Sequence, residues 1–430
     1  MAMIRRLQWK LTPQGLTSTQ RKNLTYTQLD ALGVGIVNGI AAFLAVFLTR
    51  LGATDFEVGL LSSLSGFTGL FLAFVAGRFL ERQRNVVPWY SGARLVVTSA
   101  YVLTGLVSLV LPEKATIIAV LIIWALASFP QTLQNVAFNV TMNSIAGPQG
   151  RYIFMSRRWS VLGLVSAMAT AAASQILERL NFPTNYQIVF IVFSLGGLIS
   201  FNFSRRFVLP DRPPQPRDAG TPLWLQLKKG VQLVLRERPF VAFAGRRLVY
   251  TLGSFLVGPL FTLYYVRQLE ASDAWIGAIT MIQQAVLLIG YQLWIRLRAR
   301  WGSRFVLLGT TLALALYPIL VALTRHVGLV VVYAAVAGVF QAGLNLVFFD
   351  ELMKRVPHES SPTFIAIDQT AQNLLSMTGP LISTALSAHI GIAAMLIVSG
   401  GVRLLGFGLF LLAGSRPGSQ SALAVNPQSE

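Results

Sequence analysis

The sequence predicts an all-α integral membrane protein with 12 transmembrane helices, arranged as two six-helix bundles in a pseudo-twofold repeat. Three observations carry this. Of the 430 residues, 54% are hydrophobic and 12% charged, with a mean hydropathy of +0.61, whereas soluble domains carry about a quarter charged residues. Apolar runs of roughly 20 residues, long enough to span a bilayer, recur along the chain. A basic, Pro-rich stretch at 205–238 divides those runs six and six.

In chain order the runs fall near 27–49, 56–77, 87–111, 115–144, 152–177 and 186–204, then near 241–265, 274–295, 305–324, 327–349, 362–387 and 391–413. The expected organisation is an N-terminal bundle over 1–204, a cytoplasmic linker over 205–238 and a C-terminal bundle over 239–430. Of the 35 Lys and Arg, only Arg50, Lys114, Arg179, Arg267 and Arg325 fall in the alternate set of loops, and Arg94 and Arg403 fall inside predicted spans. The rest gather on one side, so the positive-inside rule puts both termini and the linker in the cytoplasm of a plasma or inner membrane. The net charge of +19 is thereby a topology signal with attraction to anionic lipid, and calls for no nucleic acid. Five basic residues precede Gln28 and the first apolar run outlasts a signal core, which predicts no cleavable signal. The absence of Cys excludes disulfides and thiolate sites, and three scattered His predict no metal centre and no cofactor.

Within the linker, Leu223, Leu227, Val231 and Val234 recur at three- and four-residue spacing beside Lys228 and Lys229. This predicts an amphipathic helix on the inner leaflet. The two halves also read as parallel copies. A shift of 218 places Asp55-x-x-x-Gly59 on Asp273-x-x-x-Gly277; a shift of 210 places Gln131, Asn135 and Phe138 on Gln341, Asn345 and Phe348; a shift of 204 places Gly196-Gly197 on Gly400-Gly401. Loop-length differences between two copies produce such drift.

Two six-helix copies, cytoplasmic termini and a basic connector resemble the major facilitator superfamily over essentially the whole chain. The loop after the second helix strengthens the resemblance: Gly77-Arg78-Phe79-Leu80-Glu81-Arg82 keeps the Gly and the basic residue of that family's pattern, with Glu81 for the acidic one, while Arg84 and Asn85 depart from its closing Gly-Arg. The Gly-Pro signature of drug/proton antiporters is missing from the fifth helix, so no subfamily is assigned. The resemblance implies a mid-membrane cavity lined by the first, fourth, seventh and tenth helices, alternating access to the two sides, and protons as a coupling ion.

The residues agree in character. Gln131, Asn135, Asn139 and Asn143 recur every four residues along one face of the fourth helix, and Gln341 and Asn345 repeat the first two on the tenth. Amides at membrane depth need water, substrate or another polar group, so they either line a cavity or bind neighbouring helices. The candidate substrate cavity is Asn38, Gln131, Asn135, Asn139, Gln341, Asn345, Phe348 and Arg403. Aromatics on the first and seventh helices, Phe43, Phe47, Tyr250, Phe255, Phe261, Tyr264 and Tyr265, complete an amide-plus-aromatic lining suited to an amphipathic solute. Arg94 reads as a snorkelling structural residue, and Asp30 as a carboxylate in the first turn of its helix.

A candidate cytoplasmic gate sets Glu81, Arg82, Arg157 and Arg158 of the first half against Asp350, Glu351 and Asp368 of the second, paired when the cavity opens outward and broken when it opens inward. Without a P-loop, a G-x-S-x-G or an H-E-x-x-H, the chain is not expected to be an enzyme. The expected function is secondary transport of a small organic solute, with efflux or exchange of drug- or lipid-like compounds ahead of uptake of a sugar or organic anion. A non-transporting sensor and a lipid-acting enzyme are the readings from other classes. Substrate and membrane lipids are the expected partners of a monomer.

Overall fold

The computed structural model describes residues 17–81, 83–209, 223–356 and 361–413. Among these, ten helices are long and apolar enough to cross a membrane. One of the ten, Asp273–Leu323, is two helices broken at Gly302 (φ 79°), a conformation that only glycine adopts without strain. With Ser361–Ile390 the spans come to the expected twelve.

We number the spans of the first bundle α1 (Ser18–Arg50), α2 (Asp55–Glu81), α3 (Val87–Val110), α4 (Glu113–Met142), α5 (Arg158–Arg179) and α6 (Thr184–Ser204). The connector helix is α7 (Leu223–Arg236). The second bundle comprises α8 (Arg238–Gln268), α9 (273–301), α10 (303–323), α11 (Val327–Met353), α12 (Ser361–Ile390) and α13 (Ile392–Ala413).

Local sequence sets the helix ends. A capping box, Thr17 with Gln20, opens α1, and Thr54 with Glu57 exchanges the same two bonds ahead of α2. At 33 residues α1 is about 50 Å long, well beyond the roughly 30 Å hydrocarbon layer. Asp30 therefore lies several turns inside the helix rather than in its first turn, a correction to the sequence expectation.

Small residues set the packing of each bundle. Gly33 of α1 lies against Gly196 and Ser200 of α6, and Gly39 against Ala169 and Thr170 of α5. In the second bundle Gly379 of α12 lies against Phe255 of α8, and Gly406 of α13 against Tyr250 of α8. Apolar association gains little between helices already in lipid, so close backbone approach and hydrogen bonds carry the packing. The bundles meet along two seams, α2 with α12 and α5 with α9. In α7, Lys228 and Lys229 are exposed and Val234 is buried, with α12 and α8 beneath it.

Candidate functional site

Charged pairs mark the two ends of the seams. On the face away from the connector, Arg50 at the end of α1 donates from Nε to Asp273 at the start of α9 at 2.8 Å, and from Nη2 to the Ala271 carbonyl at 2.9 Å. Arg267 at the end of α8 pairs with Asp55 at the start of α2 and also donates to the Ala53 carbonyl. Both pairs join the two halves. They are copies of each other, since Arg50 and Arg267 are 217 positions apart and Asp55 and Asp273 are 218 apart. Tyr186 donates to Asp273 at 2.8 Å and Ser387 to Asp55 at 3.2 Å, so each carboxylate keeps a second donor.

One turn further in, a Cβ on Gly59 of α2 would overlap the Thr384 side chain of α12, and one on Gly277 of α9 would overlap Ser174 of α5. These crossings are again repeat equivalents, with Ser174 and Thr384 210 positions apart. The α2–α12 seam stays tight through Gly66 against Met377 and Gly69 against Asn373. The α5–α9 seam relaxes to ordinary contact between Gly163 and Leu288. One end of the molecule is thus closed across the halves by two ion pairs and two glycine crossings.

Towards the connector the charges pair within halves. Arg158, expected in a gate between bundles, donates to Asp30 of α1 at 3.2 Å inside its own bundle. Asp368 accepts from Arg247 of α8 at 2.7 and 2.9 Å, also within one bundle. Asp350 pairs with Arg298 and Lys354, and Glu351 with Lys354 and Arg355. Arg82 and the side chains of Glu81, Arg157 and Asn143 lie outside the described residues. No described member of the expected gate bridges the halves in this conformation. The two inner pairs are nevertheless repeat equivalents with their signs exchanged: Asp30 and Arg247 are 217 positions apart, Arg158 and Asp368 210.

Amide side chains occupy the inner faces between these ends. Asn135 lies opposite Leu126, which is exposed on the outer face of α4, and Asn345 lies opposite the exposed Val336 of α11. Asn135, Asn139 and Asn345 are exposed. Gln341 donates to Asn345 at 2.8 Å, and Asn345 to the Tyr291 hydroxyl of α9 at 3.3 Å. Tyr291 shares a helical face with Gly277 and Leu288, which meet α5, so this network points at the opposite bundle. Gln369 and Asn373 add an amide pair on α12 (3.3 Å) that the sequence reading missed. Their four-residue spacing was the available signal.

Asn38 and Gln131 come together on a cavity of about 160 Å³ within the first bundle, which Arg94, Tyr101, Trp124 and Gln134 also line. The remaining expected residues are placed elsewhere. Phe348 is buried against Phe243, Tyr250 and Phe410, and it is the neighbouring Phe349, one turn from Asn345, that is exposed. Arg403 is buried among α8, α10 and α13, donating to the Leu314 carbonyl at 2.8 Å with the Tyr250 ring 6.0 Å away. Among the aromatics, Phe43 and Phe47 are fully buried, Phe47 against Phe182, Tyr186 and Phe190; Tyr250, Tyr264 and Tyr265 are buried as well.

Comparisons with known proteins fit this geometry. The family model described as Major Facilitator Superfamily matches residues 247–427. A solved structure of the nucleoside transporter NupG superposes with a TM-score of 0.66 at 13% identity, covering 91% of this chain and 99% of that one. The structure of a bacterial metal transporter superposes at 0.63 and 16% identity, covering 94% and 100%. No curated protein matches the sequence. The second half of the chain thus matches the family model of the Major Facilitator Superfamily, and the chain as a whole shares the fold of these two transporters.

Proposed function

We propose that this chain is a secondary transporter that carries a small, hydrogen-bonding organic solute between its two bundles by alternating access. The observation that carries the proposal is the exposure of the amides of α4 and α11 towards the interior, beneath an end closed across the halves by Arg50–Asp273 and Arg267–Asp55. An exposed amide face with both donors and acceptors binds hydroxyls, carbonyls and ring nitrogens. Of the aromatics behind the amphipathic substrate expected from the sequence, Phe43, Phe47, Tyr250, Tyr264 and Tyr265 are buried, as is Phe348, while Phe255 and Phe261 are half-buried and Phe349 is exposed, so amides make up most of the accessible lining. Polar solutes therefore move ahead of drug-like ones. With the connector in the cytoplasm, as the Lys and Arg distribution implies, the conformation is inward-open.

The test is thermal stability of the purified protein, followed by counterflow in proteoliposomes, across nucleosides, sugars, organic anions and amphipathic cations. A ligand confined to the folded state stabilises it by about 2.7 kcal/mol at a hundredfold excess over Kd. A polar class should shift the melting temperature and exchange across the bilayer, and Asn135→Ala and Asn345→Ala should abolish both. A shift confined to amphipathic cations and indifferent to those two substitutions would overturn the proposal.

A further inference from the structure

The first bundle contains a buried cation that neither its packing nor the amide cleft explains. Arg94 of α3 is 8% exposed. Its Nη2 donates to the Tyr90 hydroxyl at 3.0 Å, and its Nε has no acceptor. Tyr90 in turn donates to Asp30 at 3.3 Å. That carboxylate also accepts from Ser200 at 2.5 Å and from Arg158 at 3.2 Å. One carboxylate thus faces two guanidiniums, and Arg158, in direct contact, takes its charge. Arg94 reaches Asp30 only through a phenol.

No other described Asp or Glu lies within the membrane-depth part of this bundle. The cluster therefore carries one surplus positive charge. A guanidinium does not shed its proton, and burying an uncompensated ion costs several kcal/mol. Arg94 also lines the 160 Å³ cavity with Asn38, Gln131 and Gln134, while Tyr101 and Trp124 supply an aromatic wall. Asn38 is exposed, so the cavity adjoins the amide cleft.

We infer that this cavity is an anion subsite in which Arg94 receives the carboxylate of a small monocarboxylic solute. The amides take its polar substituents and Tyr101 and Trp124 pack on its apolar body. One surplus charge matches a monoanion; a phosphate dianion would overcompensate it. The carboxylate accepts from the Arg94 guanidinium in a charge-assisted bond, the strong class of hydrogen bond.

The subsite rests on the transport function proposed above and is tested with a probe pair of one shape and two charges, benzoate and benzamide, titrated into the purified full-length protein. Benzoate should bind about tenfold or more tightly than benzamide. Arg94→Gln should erase that preference, Arg94→Lys should keep part of it, and Arg403→Gln should leave it untouched. Equal binding of the two probes, no benzoate binding, or a preference that survives Arg94→Gln would overturn the subsite. Inorganic phosphate outcompeting benzoate would overturn the carboxylate assignment. The two proposals separate cleanly. Benzoate held at Arg94 without any counterflow removes transport and keeps the subsite, whereas Asn135-dependent counterflow with equal probe binding removes the subsite alone.

Discussion

Replacing both Arg50 and Arg267 with Gln should open the face away from the connector. The side chains of Arg50 and Asp273 are 27% and 8% exposed, and those of Arg267 and Asp55 are 35% and 15% exposed. Fully exposed pairs contribute about 0–1 kcal/mol, and stripping one partner from a fully buried pair costs about 3–5 kcal/mol. Half-buried pairs belong between these limits, at about 1–2 kcal/mol each. The two pairs share no partner, so their effects should add to about 2–4 kcal/mol. At 1.4 kcal/mol per factor of ten, the open fraction should rise roughly 30- to 1000-fold. The carboxylates left behind keep Tyr186 and Ser387 as donors, which limits damage to the closed fold. Because the chain has no Cys, Thr384→Cys supplies a single thiol beneath the seam, at a position 1% exposed. Its modification by a membrane-impermeant maleimide, applied from each side in turn, should accelerate from the far face by that factor. Exchanging the partners, Arg50→Asp with Asp273→Arg, should restore protection. Acceleration below about twofold in the double Gln variant would refute a gating role for the pairs.

Two further outcomes follow from the packing. Asp30→Asn leaves Arg158 and Arg94 buried without a carboxylate and should destabilise the protein by about 3–5 kcal/mol, measured as a fall in melting temperature, with the added Arg158→Gln recovering part of the loss. Phe348→Ala should cost about 3–5 kcal/mol by emptying the contact with Phe243, Tyr250 and Phe410, whereas Phe349→Ala should leave the melting temperature nearly unchanged; equal effects would contradict their assigned places.

Apolar run length and repeat shifts sufficed for the architecture because both are properties of the linear sequence: a span needs its residues in succession, and a duplicated helix keeps its spacing. The amide faces were legible for the same reason, since one helix alone fixes which of its residues share a side. What did not follow was pairing between helices. Arg158 and Asp368 stand 210 positions apart as repeat equivalents, and their opposite signs suggest attraction across the halves in an outward-open state. Equivalence under the pseudo-twofold places the two residues in corresponding surroundings of separate bundles, and each bundle supplies its own counterion, Asp30 to Arg158 and Arg247 to Asp368. Residues that do meet across the axis come from non-equivalent positions, as Arg50 meets Asp273 and Arg267 meets Asp55. A sequence repeat therefore points to a cross-half gate when a basic position of one copy and a different, acidic position of the same copy are both kept in the other. Arg50 with Asp55, and Arg267 with Asp273, satisfy that condition in this chain. Arg158 with Asp368 does not, and in this conformation each is held within its own bundle, where Asp30 and Arg247 take opposite roles.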